Sequence, residues 1–279
     1  MAFLHCKFKS AALGAQTTVR LYLPCDQPGW AGREVRAVFT LLHGYTNDGD
    51  DWVHSSSALR MAADNGLALI IPDASNSFYC DMAAGPAWNT WLTQELPGQL
   101  DQIFKLPRQR EKNFLCGLSM GGYGALYIGM NHPERYAGIA SFSGCLDLAL
   151  MLQNREDPAV CRAFEPILGR ELELSADRDL FRLAERVSRL PQEEQPKILC
   201  TAGRQDHEPY YIIEQNRRFH SHAKDLPLAD YTYLEWDGAH QWEFWDRSLS
   251  LAIDRFVNPG YGQACRQAWS CKTSEEEDK

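Results

Sequence analysis

The stretch NFLCGLSMGGYGALYIG, residues 113–129, constrains this chain more than any other. An apolar run, Asn113–Leu118, passes through Gly117-Leu118-Ser119-Met120-Gly121 directly into a small-residue segment, Gly121–Asn131. A strand that turns this sharply into a helix holds the central serine in a strained conformation. The residues two before and two after it must then be small enough to clear the neighbouring backbone. The turn lifts the serine Oγ above the sheet and points the free N–H groups of the helix N-terminus toward it.

The rest of the chain supplies the frame such a turn needs. Short apolar runs at Ala37–Leu42, Ala68–Ile71, Gly138–Phe142 and Lys197–Ala202 alternate with helical candidates Ser56–Asn65, Trp91–Phe104 and Tyr210–Lys224. Apolar runs of four to seven residues separated by helices predict an α/β fold with a mostly parallel sheet covered on both faces. Phe3–Phe8 and Thr17–Leu23 read as an opening hairpin. Tyr231–Glu235 and Trp242–Phe256 read as the last strand and helix. Residues 146–196 break the rhythm: they are charged, hold helical patches of which Asp179–Arg189 is the clearest, and contain no strand pattern. A connection this long carries structure or function of its own, so a helical insertion, a lid before the penultimate strands, is predicted over one end of the sheet. One domain is expected over residues 1–258, with 259–279 as a partly disordered C-terminal extension ending in SEEEDK.

Composition removes competing classes. The 279 residues are 44% apolar and carry a net charge of −9, too apolar for a disordered chain and too acidic for a general nucleic-acid binder. Apolar runs are far shorter than the roughly 18 residues of a membrane span, so neither membrane nor nucleic acid is expected as a partner. A chain of this length buries roughly three-quarters of its unfolded surface and needs no disulfide or metal staple. Its nine cysteines are odd in number, lack a CxxC and include several within apolar runs such as FLCGL and ILCTA. That usage suits a reducing compartment. With no signal-peptide pattern in MAFLHCKFKS, a cytoplasmic location is expected.

A serine nucleophile needs a base, and the base an orienting acid; on this architecture they follow in the order serine, acid, histidine. His240, in the loop DGAHQW after the last strand, fits the base. His220 and His222 fall on an amphipathic helix, and His207 lies beside the acid candidate. Asp206, in AGRQDHEP after Lys197–Ala202, is the favoured acid; Asp237 is its rival and Glu208 a weaker third choice. The oxyanion donors are expected at the N–H of Met120 and, in the loop LLHGYTNDG, of Tyr45. Gly44 lets that loop pass closely, and His43 is read as its brace. Aromatics gather near the predicted mouth, at Trp52, Phe78, Tyr79, Trp88 and Trp91. Of these Trp52, Tyr79 and Trp88 are carried as substrate-binding candidates, with core packing as the competing reading.

LLHGYTNDGDDW, IPDASNSFYCDM, QELPGQL, GLSMGGYGAL, the AGRQD loop with Asn216 downstream, and DGAHQWEFWD together resemble the esterase D-like group of α/β-hydrolases. Within it they are similar to the tributyrin or acetyl esterases and the feruloyl esterases. The resemblance spans about Phe3 to Phe256 and implies the α/β-hydrolase fold. It also implies a serine carboxylesterase that needs no cofactor or metal, with Ser119, Asp206 and His240 in the triad positions. The expected substrate is a small-molecule ester with a short-chain acyl (acetyl) or hydroxycinnamoyl group, an acylated sugar included. S-formylglutathione hydrolase and an acyltransferase are the alternatives on the same machinery, and an inactive binding scaffold is the alternative from another class. A homo-oligomer is left open.

Overall fold

The computed structural model describes residues 2–207 and 209–267. β1 (Ala2–Ser10) and β2 (Ala15–Leu23) form the predicted hairpin, paired from Ala2↔Leu23 to Ser10↔Ala15. They are followed by β3 (Ala37–Leu42), β4 (Leu67–Pro72), β5 (Asn113–Leu118), β6 (Gly138–Phe142), β7 (Lys197–Gly203) and β8 (Tyr231–Trp236). All eight lie in one sheet, in the order β1-β2-β4-β3-β5-β6-β7-β8. β2 runs antiparallel to both its neighbours, and every pair from β4 to β8 is parallel. This is the α/β-hydrolase fold, and it places the carboxyl ends of β3, β5, β7 and β8 at one edge of the molecule.

The strands read as continuous apolar runs because both faces are covered. Leu115, Ile139, Ile198 and Cys200 pack under α5 (Met120–Asn131), α8 (Leu180–Val187) and α9 (Ile212–Ala223). Phe39, Leu41, Phe114, Ala140 and Leu199 face the other way. There they meet Met61 and Ala62 of α2 (Ala58–Asn65) and Phe244 and Leu249 of α10 (Trp242–Phe256). Burying such side chains contributes about 1.5–3 kcal/mol each, which sets the frame that carries the loops.

Two helical segments differ from the sequence expectation. α1 (Gly49–His54) has six residues, too few to show a 3.6-residue period. It forms because Asp48 and Asp51 close a capping box, with Asp48 Oδ1 accepting from the Asp50 N–H at 2.7 Å and Asp51 Oδ2 from the Asp48 N–H at 3.1 Å. The segment predicted over Trp91–Phe104 starts earlier, as α3 (Trp88–Thr90), and passes through a π-helical turn, Trp91–Glu95, into α4 (Leu96–Ile103).

Residues 146–196 hold α6 (Leu148–Met151), α7 (Pro158–Leu168) and α8, and no strand. Each helix opens on an aspartate whose side chain accepts a backbone N–H: Asp147 from Leu150, Asp157 from Ala159, Asp179 from Phe181. α8 buries Leu180, Leu183, Ala184 and Val187, the spacing of one helical face. α7 docks through the Ile167 and Pro166 carbonyls, which accept from Ala83 and Ala84. The end of the chain expected to be disordered, SEEEDK, lies outside the described residues.

Candidate active site

Ser119 sits between β5 and α5 at φ 54°, ψ −119°, a conformation a side-chain-bearing residue rarely adopts. Such strain costs on the order of 1–3 kcal/mol and persists only where the surroundings enforce it. Here its N–H donates to the Phe142 carbonyl at 2.9 Å, and its own carbonyl accepts from Gly122 at 2.9 Å and Cys145 at 3.2 Å. The glycines follow from the tightness of the turn. A Cβ on Gly117 would stand 2.1 Å from the Gly121 carbonyl oxygen, and one on Gly121 2.3 Å from the Leu42 oxygen. Met120 opens α5, so its N–H has no partner within the helix.

The loop after β3 passes beside this turn. A Cβ on Gly44 would meet Leu118 at 2.8 Å and the Ser119 Cβ at 3.5 Å. Behind it His43 is 1% exposed, with Nδ1–H donating to the Gly44 carbonyl at 2.8 Å and Nε2 accepting the Ala74 N–H at 2.9 Å. Burial holds the His43 pKa below its ordinary value, in keeping with this neutral tautomer. The Tyr79 hydroxyl donates to the His43 carbonyl at 2.8 Å. Neither the Tyr45 nor the Met120 N–H finds a backbone carbonyl acceptor among the described residues, so both remain available to a ligand.

Arg20 adds support that the sequence did not disclose. Buried on β2, it meets Asp50 through two hydrogen bonds, 2.8 and 2.7 Å, and also contacts Asp73, whose Oδ1 accepts the Gly49 N–H at 2.9 Å. This ties α1 and the end of β4 under the loop. The Arg20 bonds hold the Asp50 carboxyl below its usual pKa.

Asp206 and His240 come together from the loops after β7 and β8. His240 Nδ1 lies 2.9 Å from Asp206 Oδ2; the aspartate side chain is 4% exposed and the imidazole 29%. Donation from Nδ1–H to the carboxylate leaves Nε2 as the nitrogen able to take a proton. The ring stands edge-on to Trp245 at 4.9 Å. The two loops touch where a Cβ on Gly203 would lie 2.2 Å from the Gly238 oxygen. Asp237 points elsewhere: its side chain is 76% exposed and pairs with Arg204 at 3.1 Å. Glu208 lies outside the described residues. His207 bonds Glu214 at 2.6 Å, His220 stacks on Tyr233 at 4.5 Å, and His222 packs against Phe181 at 5.2 Å.

Beside Ser119 is a cavity of about 60 Å³ with an apolar wall: Tyr45, Phe78, Met120, Cys145, Met151, Ala163, Phe164, Tyr210 and Ile212. Three of these come from the insertion, which therefore lies over the carboxyl ends of the strands. The expected substrate contacts at Trp52, Tyr79 and Trp88 are corrected by this arrangement. Trp52 is fully buried on the opposite face of the sheet, donating Nε1–H to Leu42 at 3.1 Å and packing edge-on to Trp242 at 5.3 Å. Tyr79 is fully buried behind His43. Trp88 packs edge-on to Trp91 at 5.8 Å, outside the cavity wall. Phe78 is the one aromatic of that cluster on the wall; the insertion residues gave no signal, because nothing local in sequence reports which side of a lid faces the serine.

Comparison with known proteins agrees with this construction. The Esterase family model ("Putative esterase") matches residues 10–256. An acetyl esterase of Caldicellulosiruptor saccharolyticus is 29% identical over 267 residues, covering 91% of this chain and 97% of its own. An S-formylglutathione hydrolase of Paracoccus denitrificans is 31% identical over 160 residues, 49% of this chain and 55% of its own. Among solved structures, the substrate-bound fluorophosphonate-binding serine hydrolase F of Staphylococcus aureus superposes with a TM-score of 0.79 at 25% identity, covering 92% of this chain and 98% of its own. With its sheet, its strained serine and nearly its whole length inside that family, the chain belongs to the esterases and is a serine-dependent hydrolase of carboxylic esters.

Proposed function

We propose that the protein hydrolyses short-chain acyl esters, acetyl esters foremost, through an acyl-enzyme on Ser119. His240 Nε2 takes the Ser119 proton as Oγ attacks the ester carbonyl, and Asp206 holds the imidazole in the tautomer that accepts it. The N–H groups of Tyr45 and Met120 stabilise the tetrahedral oxyanion. Collapse expels the alcohol, protonated by His240; water, activated by the same imidazole, then releases the acid and restores Ser119.

The observation that carries the acyl preference is the cavity of about 60 Å³ beside Ser119. An enclosed cavity that holds benzene measures roughly 150 Å³; this smaller apolar space, open on one side, favours an acetyl group over a hydroxycinnamoyl group. Tyr210, on the cavity wall, and its neighbour Tyr211 are 47% and 52% exposed and give the cavity an aromatic rim. A sugar or aryl alcohol has an open rim to stack on there. A formyl group fits the same cavity, which keeps S-formylglutathione hydrolysis as the second reading.

A panel of acetyl, butyryl, feruloyl and formylglutathione esters tests this. Acetyl esters are expected to exceed butyryl esters in kcat/KM, with feruloyl esters lowest. A feruloyl preference would sink the acyl assignment, and formylglutathione turned over about a hundredfold faster than acetyl esters would replace it with the second reading.

A further inference from the structure

Two parts of the cavity wall come from separate elements and meet through side chains. One is Tyr210 and Ile212, at the start of α9; the other is Cys145 and Met151, at the entry to the insertion. Two buried amides of α9 join them: Asn216 donates Nδ2–H to the Gly144 carbonyl at 2.8 Å, and Gln215 reaches both parts. Gln215, 0% exposed on α9, donates Nε2–H to the Tyr210 carbonyl at 2.7 Å and accepts the Asp147 N–H on Oε1 at 2.8 Å. Asp147 is itself 3% exposed and caps α6, accepting the Leu150 N–H at 2.9 Å. Its other oxygen accepts from Arg218 Nε at 2.6 Å. The orientation of the four-residue helix ending in Met151 is therefore set from α9. Met151 Sδ in turn lies 2.8 Å from Cys145 Sγ on the cavity wall.

We propose that Met151 is the acyl-length stop of this enzyme and that Gln215, through Asp147, is the positioning residue that holds the stop at its present distance from Tyr210. The inference rests on the short-acyl reading above and names the side chains that impose it. Methionine is an unbranched, adaptable filler, so its placement depends on the helix that carries it more than on its own shape. Gln215 also hydrogen-bonds the Cys145 side chain, so the same amide touches the cavity wall directly. Removing its amide leaves the Tyr210 carbonyl and the Asp147 N–H without this partner, while Asn216 and Arg218 still tie α9 to the segment that carries Met151.

The test uses p-nitrophenyl acetate, butyrate and hexanoate, which share one leaving group, so that only the acyl side varies. The readout is the ratio of kcat/KM for butyrate to that for acetate, which a general loss of stability does not move. One methylene in a fitted apolar pocket is worth roughly tenfold or more. Met151→Ala is expected to raise the ratio by about tenfold, Met151→Phe to lower it, and Gln215→Leu to raise it while admitting hexanoate. If Gln215→Leu fails to fold, Asp147→Ala, which keeps the backbone N–H but uncaps α6, takes its place. Ratios within twofold of the parent in both Met151 variants overturn the stop; a ratio unmoved in a folded clamp variant overturns the role of Gln215. Parent enzyme that turns over no ester overturns the functional reading itself, a result separate from an intact acetate activity with unmoved ratios.

Discussion

The serine side and the acid–base side of this site are built from different materials. Around Ser119 the geometry is backbone geometry: carbonyls of Gly121 and Leu42 stand where a Cβ on Gly117 or Gly121 would go, and the strained φ is enforced by hydrogen bonds from three sides. Around His240 the decisive contact is one between side chains, 2.9 Å to Asp206, made by two loops that approach from neighbouring strands. Backbone construction tolerates no added Cβ at its glycines and little motion. The histidine side rests on that side-chain contact, with one close backbone approach beneath it, where a Cβ on Gly203 would lie 2.2 Å from the Gly238 oxygen. The serine side should therefore fail as a structure when altered, and the acid–base side as chemistry.

The largest effect should separate the two even at the serine. Ser119→Ala is expected to lower kcat for p-nitrophenyl acetate by about 10⁴–10⁶ while leaving the melting temperature close to the parent's, because the Cβ and the strained φ remain. Retained turnover would remove the nucleophile assignment. Ser119→Gly, equally inactive, should melt higher than Ser119→Ala, since glycine populates this backbone region without the steric cost.

On the other side, Asp206→Asn should cost roughly 10³–10⁴ in kcat, with little change in fold. Asp237→Asn should stay within about twofold, because that carboxylate is exposed and pairs with Arg204. Comparable losses in the two variants would break the assignment of the acid.

Gly121→Ala inverts the pattern. Its added Cβ would meet the Leu42 carbonyl at 2.3 Å, which only a shift of β3 or α5 relieves. Overpacking of this kind costs about 1–3 kcal/mol or more, so the expected result is a lower melting temperature and lost activity together. A variant that melts like the parent would show the turn to be looser than its glycines indicate.

The same contrast explains what could be read from sequence. Glycine spacing records backbone clashes, so the turn at Gly117–Gly121 and the close pass at Gly44 were legible, and the apolar runs gave every strand to within a few residues. A side-chain meeting leaves only residue type and position behind. Asp206 and Asp237 both satisfied that record, and only the fold shows that Asp237 points to Arg204. The aromatics misled for a related reason: Trp52 sits on α1, which packs it against the opposite face of the sheet, and Tyr79 lies beneath His43. Phe78, one residue from Tyr79, reaches the cavity because the chain turns through positive φ at both positions.

Among the side chains that brace the serine side, with Arg20 and Tyr79, His43 should show the smallest and most conditional effect. Its Nε2 must be unprotonated to accept the Ala74 N–H, and burial depresses its folded-state pKa. The unfolded chain, with an ordinary histidine pKa of about 6.5, therefore takes up the proton first as the solution is acidified. Stability from this source is complete above that value and is lost as pH falls from it toward the folded-state pKa. His43→Phe, which leaves the Ala74 N–H without an acceptor, should destabilise the protein by about 1–3 kcal/mol at pH 8, and by less at pH 5.5, where the parent has already lost part of this contribution. Urea denaturation of both proteins at the two pH values measures the gap. A gap that stays constant would mean that His43 supports the loop after β3 by filling space alone, and Arg20 with Asp50 and Asp73 would be its polar support.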